Sequence, residues 1–154
     1  MTRRASDFPR PPAIEKVPDP VRIVLGDDVI AQTDHAWRIL ETTHAPTYYL
    51  PSTAFRPGVL IPRPRTSFCE WKGIAHYLTL SAGGRVEVDA GWTYPDPSPA
   101  YAALADHVAV YAGRMDACFV GEEQVQPQPG GFYGGWITSD FEGPFKGAPG
   151  TQWW

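Results

Sequence analysis

The chain has little that would commit it to a known chemistry. Its 154 residues contain two cysteines, 49 positions apart, and no C-X-X-C pair. Neither H-E-X-X-H nor a Cys/His finger spacing links its four histidines, so no metal site is expected. A phosphate-cradling G-X-X-X-X-G-K-[ST] loop is missing, as is a G-X-S-X-G nucleophile elbow. No glycine-serine signature followed by paired acids occurs either, which leaves a nucleotidyltransferase reading without support. No apolar run reaches 18 residues, so no membrane span is expected. Basic charge is scarce too: 13 Lys and Arg against 17 Asp and Glu give a net charge of −4. Such a balance excludes a generic nucleic-acid binder, which needs a basic face.

The two thiols suit a reducing compartment, and a cytoplasmic location is expected. The segment Met1–Pro9 has a twin arginine but no apolar region after it, so it does not read as an export signal.

What the chain does have is turn formers and aromatic rings. Fifteen glycines and 17 prolines interrupt it too often for long helices, and 13% of it is aromatic. That mixture favours short strands. The length suits one domain with a real core. Residues 1–19 are proline-rich and aperiodic, and read as a flexible arm. Residues 20–126 read as a β domain. Residues 127–154 combine glycine, proline and seven aromatics, and read as a tail that packs on the domain or on a second copy.

Strands are expected at Val21–Leu25 and Val29–Ala31, joined through Gly26-Asp27-Asp28, then at Trp37–Glu41, Thr47–Leu50, Val108–Tyr111 and Ala117–Val120. Ser52 could cap a single turn, and Ser98-Pro99 predicts a short helix through Leu104. The best hairpin alternates Ile74, His76, Leu78 and Leu80 with Ala75, Tyr77 and Thr79. It turns at Ser81-Ala82-Gly83-Gly84 and returns through Val86, Val88, Ala90 and Trp92. Antiparallel return brings Trp92 to about the level of Gly73–Ile74. Two chemically dense segments then meet: Cys69-Glu70-Trp71-Lys72-Gly73 and Trp92-Thr93-Tyr94-Pro95. On this pattern His76 shares a face with Ile74 and Leu78, as a hydrogen-bonded core histidine.

Those segments carry a resemblance. Glu41, Tyr48, Tyr49 and Pro51, then Cys69, Lys72, Gly73, Ala75 and Tyr77, then Trp92, Tyr94, Pro95 and Pro97 resemble the family catalogued as domain of unknown function 427. A softer match runs through Val108–Tyr111 and Arg114–Ala117, so that roughly residues 20 to 125 are covered. Glu70 stands where many relatives carry proline, and Ala54 where they often carry an acid. The resemblance implies a mostly β, antiparallel fold of the β-tent (Mss4-like) or squashed-barrel kind. It implies no activity and no cofactor.

Three functions fit these residues. The first is recognition of a small ligand, an anion being one candidate, in a cleft walled by Tyr48, Tyr49, Tyr77, Trp92 and Tyr94. Lys72 would supply charge, Arg63 and Arg65 would add positive potential, and Cys69 would sit at the base. The same rings, with Trp71, could instead form a plain aromatic core. The second is a cofactor-free enzyme in which Cys69, its thiolate favoured by Lys72, is nucleophile or redox thiol. The third is a protein-interaction module, with a homo-oligomer formed through the tail.

Overall fold

A computed structural model describes residues 2–130, 133–148 and 151. Among the described residues fifteen strands follow one another. The first eight are β1 (Arg3–Arg4), β2 (Ala13–Lys16), β3 (Val21–Leu25), β4 (Asp28–Thr33), β5 (Trp37–Leu40), β6 (Thr47–Pro51), β7 (Leu60–Cys69) and β8 (Gly73–Ala82). Then come β9 (Arg85–Thr93), β10 (His107–Val110), β11 (Ala117–Val120), β12 (Glu123–Gln124), β13 (Gln126–Pro127), β14 (Trp136–Ile137) and β15 (Phe141–Glu142).

The architecture is mostly β and antiparallel. A seven-stranded sheet runs β2-β5-β6-β10-β9-β8-β7 and faces a four-stranded sheet, β12-β11-β3-β4. The large sheet is open, with β2 and β7 as its edges, so the squashed-barrel expectation does not hold. The short helix expected from Ser98 is instead a pair of 3₁₀ turns over Pro99–Leu104, broken at Tyr101, and the Ser98 side chain makes no cap bond. Among the described residues no helix is long and apolar enough to cross a membrane.

The large sheet is buried on both faces where its strands are central. Tyr48 and Leu50 of β6, with Val108 and Val110 of β10, point into the core shared with Ile23, Leu25 and Cys118 of the small sheet. Their neighbours Tyr49 and Ala109 point the other way, into a second, aromatic cluster with Tyr77, Trp92, Tyr94 and Tyr101. Period-two side-chain placement on a sheet covered on both sides accounts for apolar residues at consecutive positions. The sheets are also locked at their ends. A Cβ on Gly26, in the β3–β4 turn, would collide with the Ala82 carbonyl, and one on Gly83, in the β8–β9 turn, with the Gly26 carbonyl.

Of the strands that the sequence did not show, two belong to the large sheet. The first is β7, whose Pro62 and Pro64 argue against a central strand but suit an outer edge, where a missing N–H costs no ladder bond. The second is β2, inside the segment read as a flexible arm. It pairs with β5 from Ala13↔Leu40 to Lys16↔Trp37, and Ala5 and Phe8 before it are buried. The physical reason is polar as well as apolar. Glu15 takes hydrogen bonds from Arg3 at 2.7 Å and from the buried Arg38 at 2.6 Å. Burial alone would raise the Glu15 carboxyl, but the two guanidiniums outweigh it and hold it below its ordinary value.

Of the seven C-terminal aromatics, Trp136, Phe141 and Phe145 are buried, and Tyr133 lies edge-on to His44. Phe132, Trp153 and Trp154 lie outside the described residues. Trp136 stacks on Tyr48 at 4.9 Å and donates its indole N–H to the Val110 carbonyl at 3.1 Å. It plugs the end of the inter-sheet core. Trp136→Ala should therefore cost about 3–5 kcal/mol by loss of burial and cavity formation. Urea denaturation checks this, and a loss below about 1 kcal/mol would show that the ring adds little to the core.

Candidate functional site

The C-X-X-K-G element forms the hairpin between β7 and β8. Cys69 sits opposite Gly73, leaving Glu70, Trp71 and Lys72 as a three-residue loop. Gly73 takes φ +108°, a conformation that a side chain would strain. The chain after Trp92 lies against it: a Cβ there would meet the Asp96 carbonyl at 3.4 Å, an ordinary contact, so the backbone conformation and not crowding calls for glycine. The Ser98 N–H donates to the Lys72 carbonyl at 3.0 Å, so the two dense segments do meet.

They meet in a different register from the one expected. Trp92 lies opposite Tyr77, not Gly73–Ile74. Two causes each contribute two residues. The turn is the two-residue Gly83-Gly84, with Ala82 opposite Arg85, and a bulge sets Val88, Asp89 and Ala90 of β9 against Thr79 alone. A matching bulge on the other side of β8 sets Arg63, Pro64 and Arg65 of β7 against Tyr77. Asp89, at φ +54°, ties the two bulges together, its carboxylate 3.4 Å from Arg63 and 3.7 Å from Arg65. His76 is likewise displaced from the core histidine expected. It is exposed, as is Ile74 at 53%, whereas Leu78 and Leu80, farther along the same strand, belong to the inter-sheet core.

On the opposite face lies a cavity of about 500 Å³. Ala75, Tyr77, Trp92 and Tyr94 form its apolar lining, with Tyr111 beside the Trp92 ring at 4.8 Å. Arg65, Ser67, Asp89 and Arg114 lie at one part of its border, and Glu41, His44 and Tyr133 at another. Lys72 lines it while only 8% exposed, its ammonium 5.6 Å from the centre of the Tyr94 ring. Among the described residues neither the Lys72 ammonium nor the Tyr94 hydroxyl has an ion-pair or side-chain hydrogen-bond partner, and both polar atoms keep contact with solvent. The other cations of the lining are satisfied, Arg65 by Asp89 and Arg114 by Glu87.

The rings are held from behind. Tyr49 accepts a hydrogen bond from the Trp92 indole N–H at 3.2 Å, and the two rings meet edge-on. Burial pushes the Tyr49 and Tyr94 hydroxyls well above the ordinary tyrosine value. Tyr111 is pushed up to about 12 by burial and by the neighbouring Tyr77. All three are neutral hydrogen-bonding groups at physiological pH.

Of the residues picked from sequence, Lys72, Tyr77, Trp92 and Tyr94 come together around this cavity. Tyr49 supports Trp92 from beneath. Tyr48 does not join them: it points to the other face of the sheet and stacks on Trp136. Trp71 borders an adjoining cavity of about 560 Å³, which shares Glu41 and His44 with the first. Cys69 is half-buried against the aromatic cluster and outside the lining of either cavity, so it does not form the base. Ser67, Tyr111 and Arg114 were not singled out as site residues. Tyr111 and Arg114 lay within the softly matched segments, whereas Ser67 reaches the cavity through the pairing of β7 with β8.

The family described as Domain of unknown function (DUF427) matches residues 13–121, which hold both dense segments and most of the cavity wall. The chain belongs to this family. No curated protein matches it. The DUF427 match begins at Ala13, the first residue of β2, so it takes in that edge strand. Among the described residues no group of three or more His, Cys, Asp or Glu is placed to hold a metal ion.

The buried hydroxyls have a consequence for alkaline stability. A tyrosine whose folded pKa is raised binds its proton more tightly in the folded state. Its contribution is complete below the unfolded value, 10.0, and is lost as pH rises toward the folded one. The midpoint of urea unfolding should hold steady up to about pH 9 and fall steeply above pH 10. Tyr49→Phe should show a shallower fall. A midpoint flat to pH 11 would show that the tyrosines are not buried as neutral groups.

Proposed function

We propose that the protein recognises a small anionic ligand in the cavity between the C-X-X-K-G hairpin and the Trp-X-Tyr-Pro segment. Lys72 carries the reading. The residue is largely buried, its ammonium finds no counter-charge among the described residues, and a bound carboxylate or phosphate would supply that partner. The unpartnered Tyr94 hydroxyl beside it offers that anion a hydrogen bond. The cavity volume is ordinary for small-ligand sites, and its lining combines aromatic rings with several polar and charged side chains. The two sheets sharing one core support taking the fold as a β-tent of the Mss4-like kind. Two free cysteines support a cytoplasmic protein. An enzyme built on Cys69 draws less support, because the thiol lies outside the cavity's lining. An interaction module working through the tail is disfavoured by the burial of Trp136, Phe141 and Phe145 within their own chain.

A thermal-shift screen of phosphate, acetate, benzoate and phenylacetate tests the proposal, with Lys72→Met beside the wild type. A ligand at a hundredfold excess over its Kd should raise the melting temperature by roughly 5–10 °C. Lys72→Met should bind it at least about tenfold more weakly, since a charge-assisted contact is lost. The variant itself should melt close to the wild type, because Lys72 has no ion pair or side-chain hydrogen bond to lose. A hit that both proteins bind equally well would sink the anion assignment.

A further inference from the structure

The cavity holds a second polar station away from Lys72, made by residues that face each other across three strands. The Ser67 hydroxyl of β7 lies 3.1 Å from the Tyr77 hydroxyl of β8. Tyr111, just past the end of β10, lies near enough to Tyr77 for that neighbour to help keep its hydroxyl neutral. The Arg65 guanidinium sits 4.5 Å over the Tyr77 ring and is anchored by Asp89. Tyr77 stands four steps along β8 from Gly73, roughly 13 Å of strand at about 3.3 Å per residue. The small Ala75 lies between them, leaving the Trp92 and Tyr94 rings as an apolar middle.

From this arrangement we propose that the ligand is an elongated monocarboxylate with a flat or apolar middle and a hydroxyl or carbonyl at its far end. The proposal rests on the anion reading of Lys72 and adds the other end of the molecule. Hydroxyls both donate and accept, so the Ser67–Tyr77–Tyr111 group takes either function. It does not favour a second anion. The guanidiniums nearby are already matched by Asp89 and Glu87, and a further negative charge would face the Asp89 carboxylate. Ser67 is exposed, which places this station at the cavity mouth and Lys72 at its buried end.

Calorimetric titration with two matched pairs of acids tests it: phenylpropanoate against hydroxyphenylpropanoate, and octanoate against its terminally hydroxylated form. The hydroxylated member should bind the wild type roughly threefold to tenfold more tightly, the range of one net hydrogen bond. Tyr77→Phe, which keeps the ring under Arg65, should erase that preference. Ser67→Ala, at an exposed position that tolerates the change, should reduce it and carries the test should Tyr77→Phe not fold. Lys72→Met should weaken both members of a pair by the same factor and leave their ratio unchanged. Equal affinities within each pair, or a preference that survives in Tyr77→Phe, would overturn the second station and leave the anion reading standing. Acids bound equally by wild type and Lys72→Met would remove the anion reading itself. No binding of any of the four at millimolar concentration overturns both.

Discussion

A sheet buried on both faces is the constraint on which the rest of this structure depends. Tyr48 and Tyr49 are consecutive and both fully buried, so β6 must be covered on two sides at once. The four-stranded sheet covers one side. The other is covered in part by the Pro99–Leu104 turns, whose Tyr101 and Leu104 belong to the aromatic cluster. What the covering leaves unfilled on that second side is the cavity. A sheet with one solvated face would need no such cover and would hold no walled aromatic site.

The site is also shaped by two irregularities that would be defects in a regular sheet. Each bulge sets three residues against one, on opposite sides of the same stretch of β8. Bulges bend and twist the strand that carries them and re-aim its side chains. Here they set Trp92 across from Tyr77 and place Arg65 over the Tyr77 ring. Asp89 joins the two through Arg63 and Arg65, although those pairs are largely exposed and contribute little energy individually. Their effect is geometric.

A polar hub does comparable work for the chain ends. Arg38 is buried, bonded to Glu15 on β2, 3.5 Å from the Tyr48 hydroxyl, and 5.0 Å from the centre of the Phe141 ring. One guanidinium thus touches the N-terminal strand, the central sheet and the C-terminal segment. Arginine suits the position because its planar group can serve a carboxylate and an aromatic face together. Phe141 packs in turn on Phe8, which ties both ends of the described chain into one small cluster.

Sequence alone determined the strand periods, the Gly83-Gly84 turn, the scarcity of helix and the meeting of the Cys69–Gly73 hairpin with Trp92–Pro95. All of these follow from local rules: alternation reports the pleat, and paired glycines report a tight turn. It also picked out Lys72, Tyr77, Trp92 and Tyr94, because charge and aromatic rings concentrated in paired segments are legible as composition. Tertiary structure alone decided the register, the burial of Lys72, the turning away of Tyr48, the exposure of His76, and the arrival of Ser67 and Arg114. Each depends on a partner distant in the chain. The β9 bulge is held at Asp89 by arginines from β7, and β6 has two covered faces only because separate segments fold over it. A periodic pattern names the faces of a strand, but what lies against each face is settled by the packing of the whole chain.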